Sequence, residues 1–164
     1  MILIFWNSCA MPGLPSLLAS PKAQIEVACD ATFRRDSHGN LAAYAIAAFL
    51  PGDTHPFYES ANPIPKLRGS VGAEIHAIKA ALAAFSEIMI AFQRHTDISA
   101  DTSRLYVFSD SKPAIAKVLK DEPNASVFWR PRNHMHHIHC DRLARQTLVL
   151  AFAADQPRTS PTYR

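Results

Sequence analysis

Four carboxylate residues stand at points of the sequence where a strand or a helix is expected to begin or end. Asp30 and Asp110 follow β-strand patterns, whereas Glu74 and Asp141 are expected in the first turns of helices. In a mixed α/β sheet these points can meet at one edge, where open sheets usually place their chemistry. Clustered carboxylates repel one another unless cations neutralise them, and hard divalent cations prefer oxygen ligands. The four acids therefore predict a site for divalent metal ions.

The residues around Asp110 predict a well-defined strand and helix. Leu105–Phe108 is bulky with no polar alternation, the pattern of a central strand that is buried on both faces. Asp110 ends this strand, and the helical pattern Lys112–Leu119 follows. Ser111 is a favourable N-cap residue, and Pro113 is tolerated in a first helical turn. We therefore expect a carboxylate at the carboxyl end of a buried strand.

Three strands are predicted earlier in the chain. Within Gln24–Asp30, apolar residues alternate with other types at the period of a strand, so Asp30 is expected to end that strand opposite the apolar face. The segment Arg34–Asn40 has the composition of a turn. Leu41–Leu50 and Phe57–Ala61 are the second and third predicted strands. Short connections between the three indicate an antiparallel meander.

The second half of the fold is expected to be mainly helical. Apolar residues at spacings of three and four from Ile75 to Phe92 predict one long helix, with Glu74 in its first turn. Ala125–Trp129 predicts a fifth strand, whose two aromatic residues are expected to pack in the core. A final helix is expected to begin at Asp141. The stretch Asn133–Cys140, which is rich in histidine, is interpreted as a loop.

These elements predict an α/β fold with a mixed five-stranded sheet flanked by helices, in which three antiparallel strands are followed by two further strands. The predicted domain covers residues 23–155, after an extension of residues 1–22 that is either poorly ordered or packed onto the domain. Residues 156–164 are expected to form a tail.

Composition limits the class of protein and its surroundings. The 164-residue chain carries a net charge of +3, which permits a polyanionic partner without requiring one. The widely spaced Cys9, Cys29 and Cys140 make a poor disulfide framework, so a reducing, cytoplasmic location is the simpler expectation. No run approaches the ~18 apolar residues that a membrane span requires, so we expect no membrane partner. The oligomeric state is not predicted beyond a monomer as the default.

Four segments carry a resemblance to a known family. The chain resembles type 1 ribonuclease H in the segments IEVACDAT, GAEIHAIKAALAAF, LYVFSDSKPAIAKVL and HCDRLARQTL. Each contains one of the four acids, and the resemblance implies that Asp30, Glu74, Asp110 and Asp141 hold two Mg²⁺ or Mn²⁺ ions. It further implies hydrolysis of the RNA strand of RNA–DNA hybrids, with 5′-phosphate products and the hybrid as the partner.

The histidines permit three interpretations. By the resemblance, His134 matches a mobile-loop histidine that assists proton transfer or product release. A zinc site is the second interpretation, because histidine and cysteine are zinc ligands, and a solvated loop is the third. The residues available for zinc are His134, His136, His137, His139 and Cys140.

Basic residues near the acids are candidates for contacts with the nucleic-acid backbone, although charged residues on exposed helix faces usually serve solubility. These substrate-binding candidates are Arg34, Lys112, Arg130 and Arg132.

Each acid also has a simpler structural explanation, such as helix capping, or for Asp141 an ion pair with Arg145 four residues later. Two alternative functions stay open at this point. One is a nuclease or transposase-type enzyme of the same fold that acts on DNA. The other is a nucleic-acid-binding module without turnover.

Overall fold

The computed structural model describes residues 23–36, 39–98 and 103–155, and the structural statements below concern these residues. The predicted N-terminal extension, residues 1–22, and the predicted tail, residues 156–164, lie outside the described residues.

A single mixed sheet organises the fold. Its spatial order is β3-β2-β1-β4-β5. The first three strands pair antiparallel, β4 pairs parallel to β1, and β5 pairs parallel to β4, so the predicted fold class is confirmed. The strands are β1 (Gln24–Asp36), β2 (Gly39–Phe49), β3 (Tyr58–Pro63), β4 (Arg104–Ser109) and β5 (Val127–Trp129).

Strand β1 continues well beyond its predicted end. Asp30 lies in the middle of it, and pairing with β2 runs on to the register pair Asp36–Gly39. The predictions that Asp30 ends a strand and that Arg34–Asn40 is a turn are therefore wrong, although residues 37–38 lie outside the described residues. Polar residues are compatible with the exposed end of a hairpin. Gly39 has a φ of 134°, which favours glycine at the start of β2.

Helices cover both faces of the sheet. Helices α1 (Ser70–Ala83) and α3 (Lys112–Asp121) pack on the face that carries Ile25, Val27 and Val107. Helix α4 (Met135–Asp155) lies on the opposite face across β1, β2 and β3, where Cys140 and Ala144 pack against Phe49. Each layer of helices buries apolar side chains of the sheet. This burial is the main favourable contribution to folding.

The long helix predicted from Ile75 to Phe92 is instead two helices. Helix α1 ends at Ala83, and α2 (Phe85–His95) continues at an angle of 55°. The apolar stripe persists across the bend because α2 still packs inward, with the Phe92 ring 6.0 Å from that of Phe57. Since α1 begins at Ser70, Glu74 lies in its second turn. The prediction that Glu74 lies in the first turn is therefore wrong.

Helix α4 begins six residues before the predicted start at Asp141, so most of the histidine-rich stretch is helical. His136, Cys140 and Ala144 follow one another at intervals of four and are all buried. They form one helical stripe, in which a histidine occupies a position that apolar residues usually fill. Hydrophobic periodicity missed this helical turn for that reason.

Two further predictions about β4 and β5 need correction. Val107 is buried, but Leu105, Tyr106 and Phe108 keep part of their surface exposed, so β4 is not fully buried on both faces. Phe128 and Trp129 were expected in the core and are 46% and 48% exposed. The reason is that β5 is the short edge strand of the sheet.

Among the described residues, no single helix is long and apolar enough to cross a membrane. Only the bent pair α1 and α2, taken together, reaches the necessary length and composition.

Candidate active site

Three of the four predicted acids meet at one point. One carboxylate oxygen from each of Asp30, Glu74 and Asp110 lies within 4.8 Å of the others. The register explains two of them: Ala28 pairs with Phe108 in the parallel strands β1 and β4, so the acids two residues later on each strand are neighbours. Glu74 reaches the same point from α1, which packs against β1.

The site is buried and short of positive charge. Asp30 is 1% exposed and Glu74 is 8% exposed. Burial, followed by the charge of Asp110, raises the pKa of Asp30 to about 6. Burial, followed by the charge of Asp30, raises the pKa of Glu74 to about 9. The folded protein therefore favours a proton on this pair, and a proton on Glu74 can be shared with Asp30.

The oxygen atoms of the site fit a divalent cation. The Asp30 Oδ1 atom accepts a hydrogen bond of 2.8 Å from the Ala31 N–H. The Asp30 Oδ2 and Glu74 Oε2 atoms are buried without a hydrogen-bond partner among the described residues. A buried anionic oxygen without a donor is costly, and a hard cation is the ligand that compensates it. Within the described part of the chain, this is the group of side chains arranged to hold a metal ion.

Asp141 lies beside this group without belonging to it. It is the seventh residue of α4, and its charge contributes to the raised pKa of Asp30, so it is near. Its Oδ1 atom is 3.0 Å from the Nε atom of Arg145, the helical partner expected from the sequence. The structure thus brings together three predicted ligands and places the fourth at the edge of the site.

Arg132 is the basic residue that reaches the acids. Its Nε atom lies 2.9 Å from the Asp110 Oδ2 atom, while its side chain stays 68% exposed. The charge of Asp110 raises the pKa of Arg132 further, so the guanidinium is a permanent cation at the mouth of the site. Its exposed nitrogens face solvent and are available to a phosphate group.

The other substrate-binding candidates have different surroundings. Arg130 makes a 2.7 Å ion pair with Glu26, and its guanidinium lies 3.5 Å from the ring centroid of Phe108. The Lys112 ammonium lies 4.5 Å from the ring centroid of Trp129. Arg34 is exposed on β1, four residues beyond Asp30. Their predicted roles stay predictions, and Arg130 is the most fully engaged within the protein.

Three of the candidate zinc ligands contact different parts of the fold. The His136 Nε2 atom lies 2.8 Å from the Asp53 carbonyl oxygen, and its ring stacks on Phe49 at 3.7 Å. The His139 Nε2 atom is 2.6 Å from a Glu59 carboxylate oxygen. The Cys140 thiol donates to the Ala28 carbonyl. These side chains are held by separate partners and do not converge on a common point.

His134 immediately precedes α4 and accepts hydrogen bonds from backbone N–H groups in the first turn of that helix. Its Nδ1 atom accepts from the His136 N–H at 3.3 Å, and its carbonyl accepts from the N–H groups of His137 and Ile138. Burial and the nearby Arg130 charge lower the pKa of His134. Its proposed part in proton transfer stays a prediction.

His137 is a buried residue near the acids that sequence reasoning did not single out as such. It is 1% exposed, and neither ring nitrogen has a hydrogen-bond partner among the described residues. Burial lowers its pKa to about 4, against the opposing effect of the Asp110 charge. A neutral imidazole next to the site is the consequence. Its position four residues before Asp141 would have indicated this proximity once α4 was known to begin earlier.

Comparison with known proteins gives no family match by sequence: no protein-family model matches the chain, and no curated protein does. Solved structures do match. LC11-RNase H1, in a complex with an RNA/DNA hybrid, has 17% identity and a TM-score of 0.52, over 78% of this chain and 99% of that one. The ribonuclease H domain of a Mycobacterium tuberculosis protein has 17% identity and a TM-score of 0.52, over 82% and 99%. RNase H1 from Halobacterium salinarum has 18% identity and a TM-score of 0.50, over 77% and 98%.

The chain has the ribonuclease H fold. The matches cover nearly the full length of each ribonuclease H structure and include the mixed five-stranded sheet with its flanking helices. At these identities the likeness establishes the architecture, and the chemistry of the site has to be argued from the residues themselves.

Proposed function

We propose that this protein is a metal-dependent endonuclease that hydrolyses the RNA strand of RNA–DNA hybrids. The observation that carries the proposal is the meeting of Asp30, Glu74 and Asp110, where Asp30 and Glu74 each have a buried carboxyl oxygen without a hydrogen-bond partner among the described residues. Support for the substrate comes from LC11-RNase H1, a protein of this fold that is solved with an RNA/DNA hybrid.

Two Mg²⁺ or Mn²⁺ ions are the cofactors that this donor set would hold. The three carboxylates would supply the inner ligands, and Asp141 at the edge of the group would complete the set by leaving Arg145. When bound, such ions provide an activated water and stabilise the departing oxygen of a phosphodiester.

The protein's own residues have three tasks. The carboxylates must lose the proton that Asp30 and Glu74 favour in the metal-free state, so metal binding and proton release are coupled. Arg132 would bind the phosphate, a role supported by its exposed side chain and its contact with Asp110. The third task is to exclude water, and the fully buried Ala28 and Cys140, close in the chain to Asp30 and Asp141, would contribute to it.

Cleavage of labelled duplexes would test the proposal. An RNA–DNA hybrid, duplex DNA, duplex RNA and single-stranded RNA would each be incubated with Mg²⁺, Mn²⁺ or EDTA. We expect metal-dependent cutting of the RNA strand of the hybrid, leaving 5′-phosphate ends. In Asp110→Asn, a shared metal ligand is lost, and we expect activity to fall by at least about 10²-fold.

Asp97→Asn is the matched control, because Asp97 is an exposed acid after α2 that does not belong to the group of three carboxylates. It should cut as the wild type does. Cutting of duplex DNA in preference to the hybrid would replace the proposed substrate but keep the metal site. A folded protein that binds Mn²⁺ and cuts none of the four substrates would overturn the proposed activity.

A further inference from the structure

An exposed aromatic surface lies on the sheet beside the candidate active site. The ring centroid of Phe128 is 5.9 Å from that of Tyr106 and 5.9 Å from that of Phe108. Phe128 is 46% exposed, and the other two rings are half-buried. We call these three residues the aromatic platform. Contiguous exposed apolar surface of this kind marks interaction sites in folded proteins.

The platform belongs to neither of the two buried apolar clusters, the one under α1 and α3 or the one under α4. By strand register, Tyr106 pairs with Glu26 and Phe128 with Phe108, so the three rings face the same side of the sheet as α4. Helix α4, however, packs over β1, β2 and β3, whereas the platform lies on β4 and β5. Helices α1 and α3 lie on the opposite side of the sheet. The rings are therefore arranged side by side without a helix packed across them as a layer.

Cations lie at both ends of the platform. Arg104 is exposed and precedes Tyr106 by two residues in β4, so both side chains are on the same face. At the other end, the Arg130 guanidinium lies 3.5 Å from the ring centroid of Phe108 and is paired with Glu26, so it covers that ring, and Phe128 and Tyr106 are the rings left for a ligand. Exposed aromatic rings beside the exposed cation of Arg104 are complementary to a chain of bases joined by phosphates.

The platform also leads to the acids. Phe108 is two residues before Asp110, and the Trp129 indole N–H donates to the Asp110 carbonyl at 3.2 Å. Strand β4 thus connects the rings directly to a proposed metal ligand.

We propose that the aromatic platform binds the bases of single-stranded nucleic acid that continues from a duplex held at the acids. Phe128 supplies the most exposed stacking ring, Tyr106 extends the surface, and Arg104 contacts a phosphate. Stacking on rings is tolerant of sequence, so no base preference is expected. The inference deepens the proposed function, but single-strand binding requires neither metal nor cleavage and can be measured separately from them.

Fluorescence anisotropy with labelled 15-nucleotide oligothymidylate and oligouridylate in EDTA would test the platform. The variant Phe128→Ala should bind about tenfold more weakly than the wild type, the size of effect expected from loss of one stacked base. Phe128→Leu keeps the apolar surface and removes the ring, so it should lose most of the same affinity while preserving the fold. Photo-crosslinking of 5-bromouridine-substituted RNA, read by mass spectrometry, should label Phe128 or Tyr106.

The matched control is Phe85→Ala, because Phe85 is 50% exposed at the start of α2 and belongs to another surface. It should bind as the wild type does. Single-strand affinity is measured in EDTA, without metal and without cleavage, so failure of the nuclease activity and failure of the platform are distinguishable.

Equal affinity of Phe128→Ala and wild type, or an equal loss in Phe85→Ala, would overturn the proposal.

Discussion

Two clusters of buried charge lie on β1 within a few residues of each other and differ in how their charges are satisfied. At Asp30 and Glu74, two oxygens lack a partner among the described residues, and burial raises both carboxyl pKa values. At Glu26, the carboxylate accepts a 2.7 Å bond from Arg130, and His136 lies 3.5 Å away. We infer that the first cluster is arranged for a ligand, whereas the second supports the fold.

The supporting cluster is extensive. Arg130 joins the end of β5 to Glu26 on β1, and the His136 Nε2 atom reaches the Asp53 carbonyl beyond β2. The His136 ring also stacks on Phe49, which packs in the apolar cluster under α4. Among the described residues, none of the polar atoms of this cluster is buried without a hydrogen-bond partner, so the cluster needs no ion or substrate. This comparison distinguishes a structural buried charge from a functional one better than residue type does.

The largest expected effect on stability comes from breaking the supporting cluster. Glu26→Ala leaves the Arg130 guanidinium largely buried without its carboxylate, because that side chain is only 14% exposed. We expect the free energy of unfolding to fall by about 3 kcal/mol. Urea denaturation followed by circular dichroism measures it.

In the double variant Glu26→Ala, Arg130→Met, part of this loss should be recovered, since no unpaired charge stays buried. Affinity for Mn²⁺ should change little in either variant. A large loss of Mn²⁺ affinity in folded Glu26→Ala would contradict the division into two clusters.

An intermediate effect on the free energy of unfolding is expected at the acids, where a substitution should stabilise the metal-free protein instead of destabilising it. The pKa of Glu74 is raised to about 9 in the metal-free protein, so the folded state holds a proton that the unfolded chain releases. That stabilisation is fully present below the ordinary carboxyl pKa of about 4.3 and is lost as the pH rises through the folded value. The free energy of unfolding without metal should therefore decrease from pH 5 to pH 9.

Glu74→Gln removes this titration and should make the metal-free protein more stable than the wild type at pH 8, by about 1–2 kcal/mol. Thermal unfolding in EDTA across this pH range measures the difference. Added Mg²⁺ should stabilise the wild type at pH 8 and have little effect on Glu74→Gln. The pH slope would persist unchanged in the variant if some other group caused it.

The sequence predicted elements whose local pattern and tertiary environment agree. Strand β4 and the Ser111 cap, whose Oγ atom accepts from the Ala114 N–H, follow from patterns within a few residues, whereas the meeting of Asp30 with Asp110 also depends on the pairing of β1 with β4. The start of α4 could not be predicted, because His136 takes an apolar position. Exposure of Phe128 depends on β5 being an edge strand, which is a property of the whole sheet. The bend between α1 and α2 leaves the apolar spacing unchanged.

The smallest expected effect concerns Asp141, which lies near the acids but is paired with an arginine of the same helix. Its pair with Arg145 is on the surface, since the arginine side chain is 66% exposed. Arg145→Ala should therefore lower the free energy of unfolding by no more than about 0.5 kcal/mol. The exposed pair of Lys79 and Asp121 offers a control, and Lys79→Ala should behave similarly.

The two variants should differ in metal binding, however. Freed from Arg145, Asp141 would be available to the ions at Asp30, so Arg145→Ala should bind Mn²⁺ more tightly by about twofold, in proportion to the weak pair that it removes. Isothermal titration calorimetry measures this change, and Lys79→Ala should show none. Unaltered Mn²⁺ affinity in Arg145→Ala would mean that Asp141 is a surface acid of α4 and that three carboxylates make up the site.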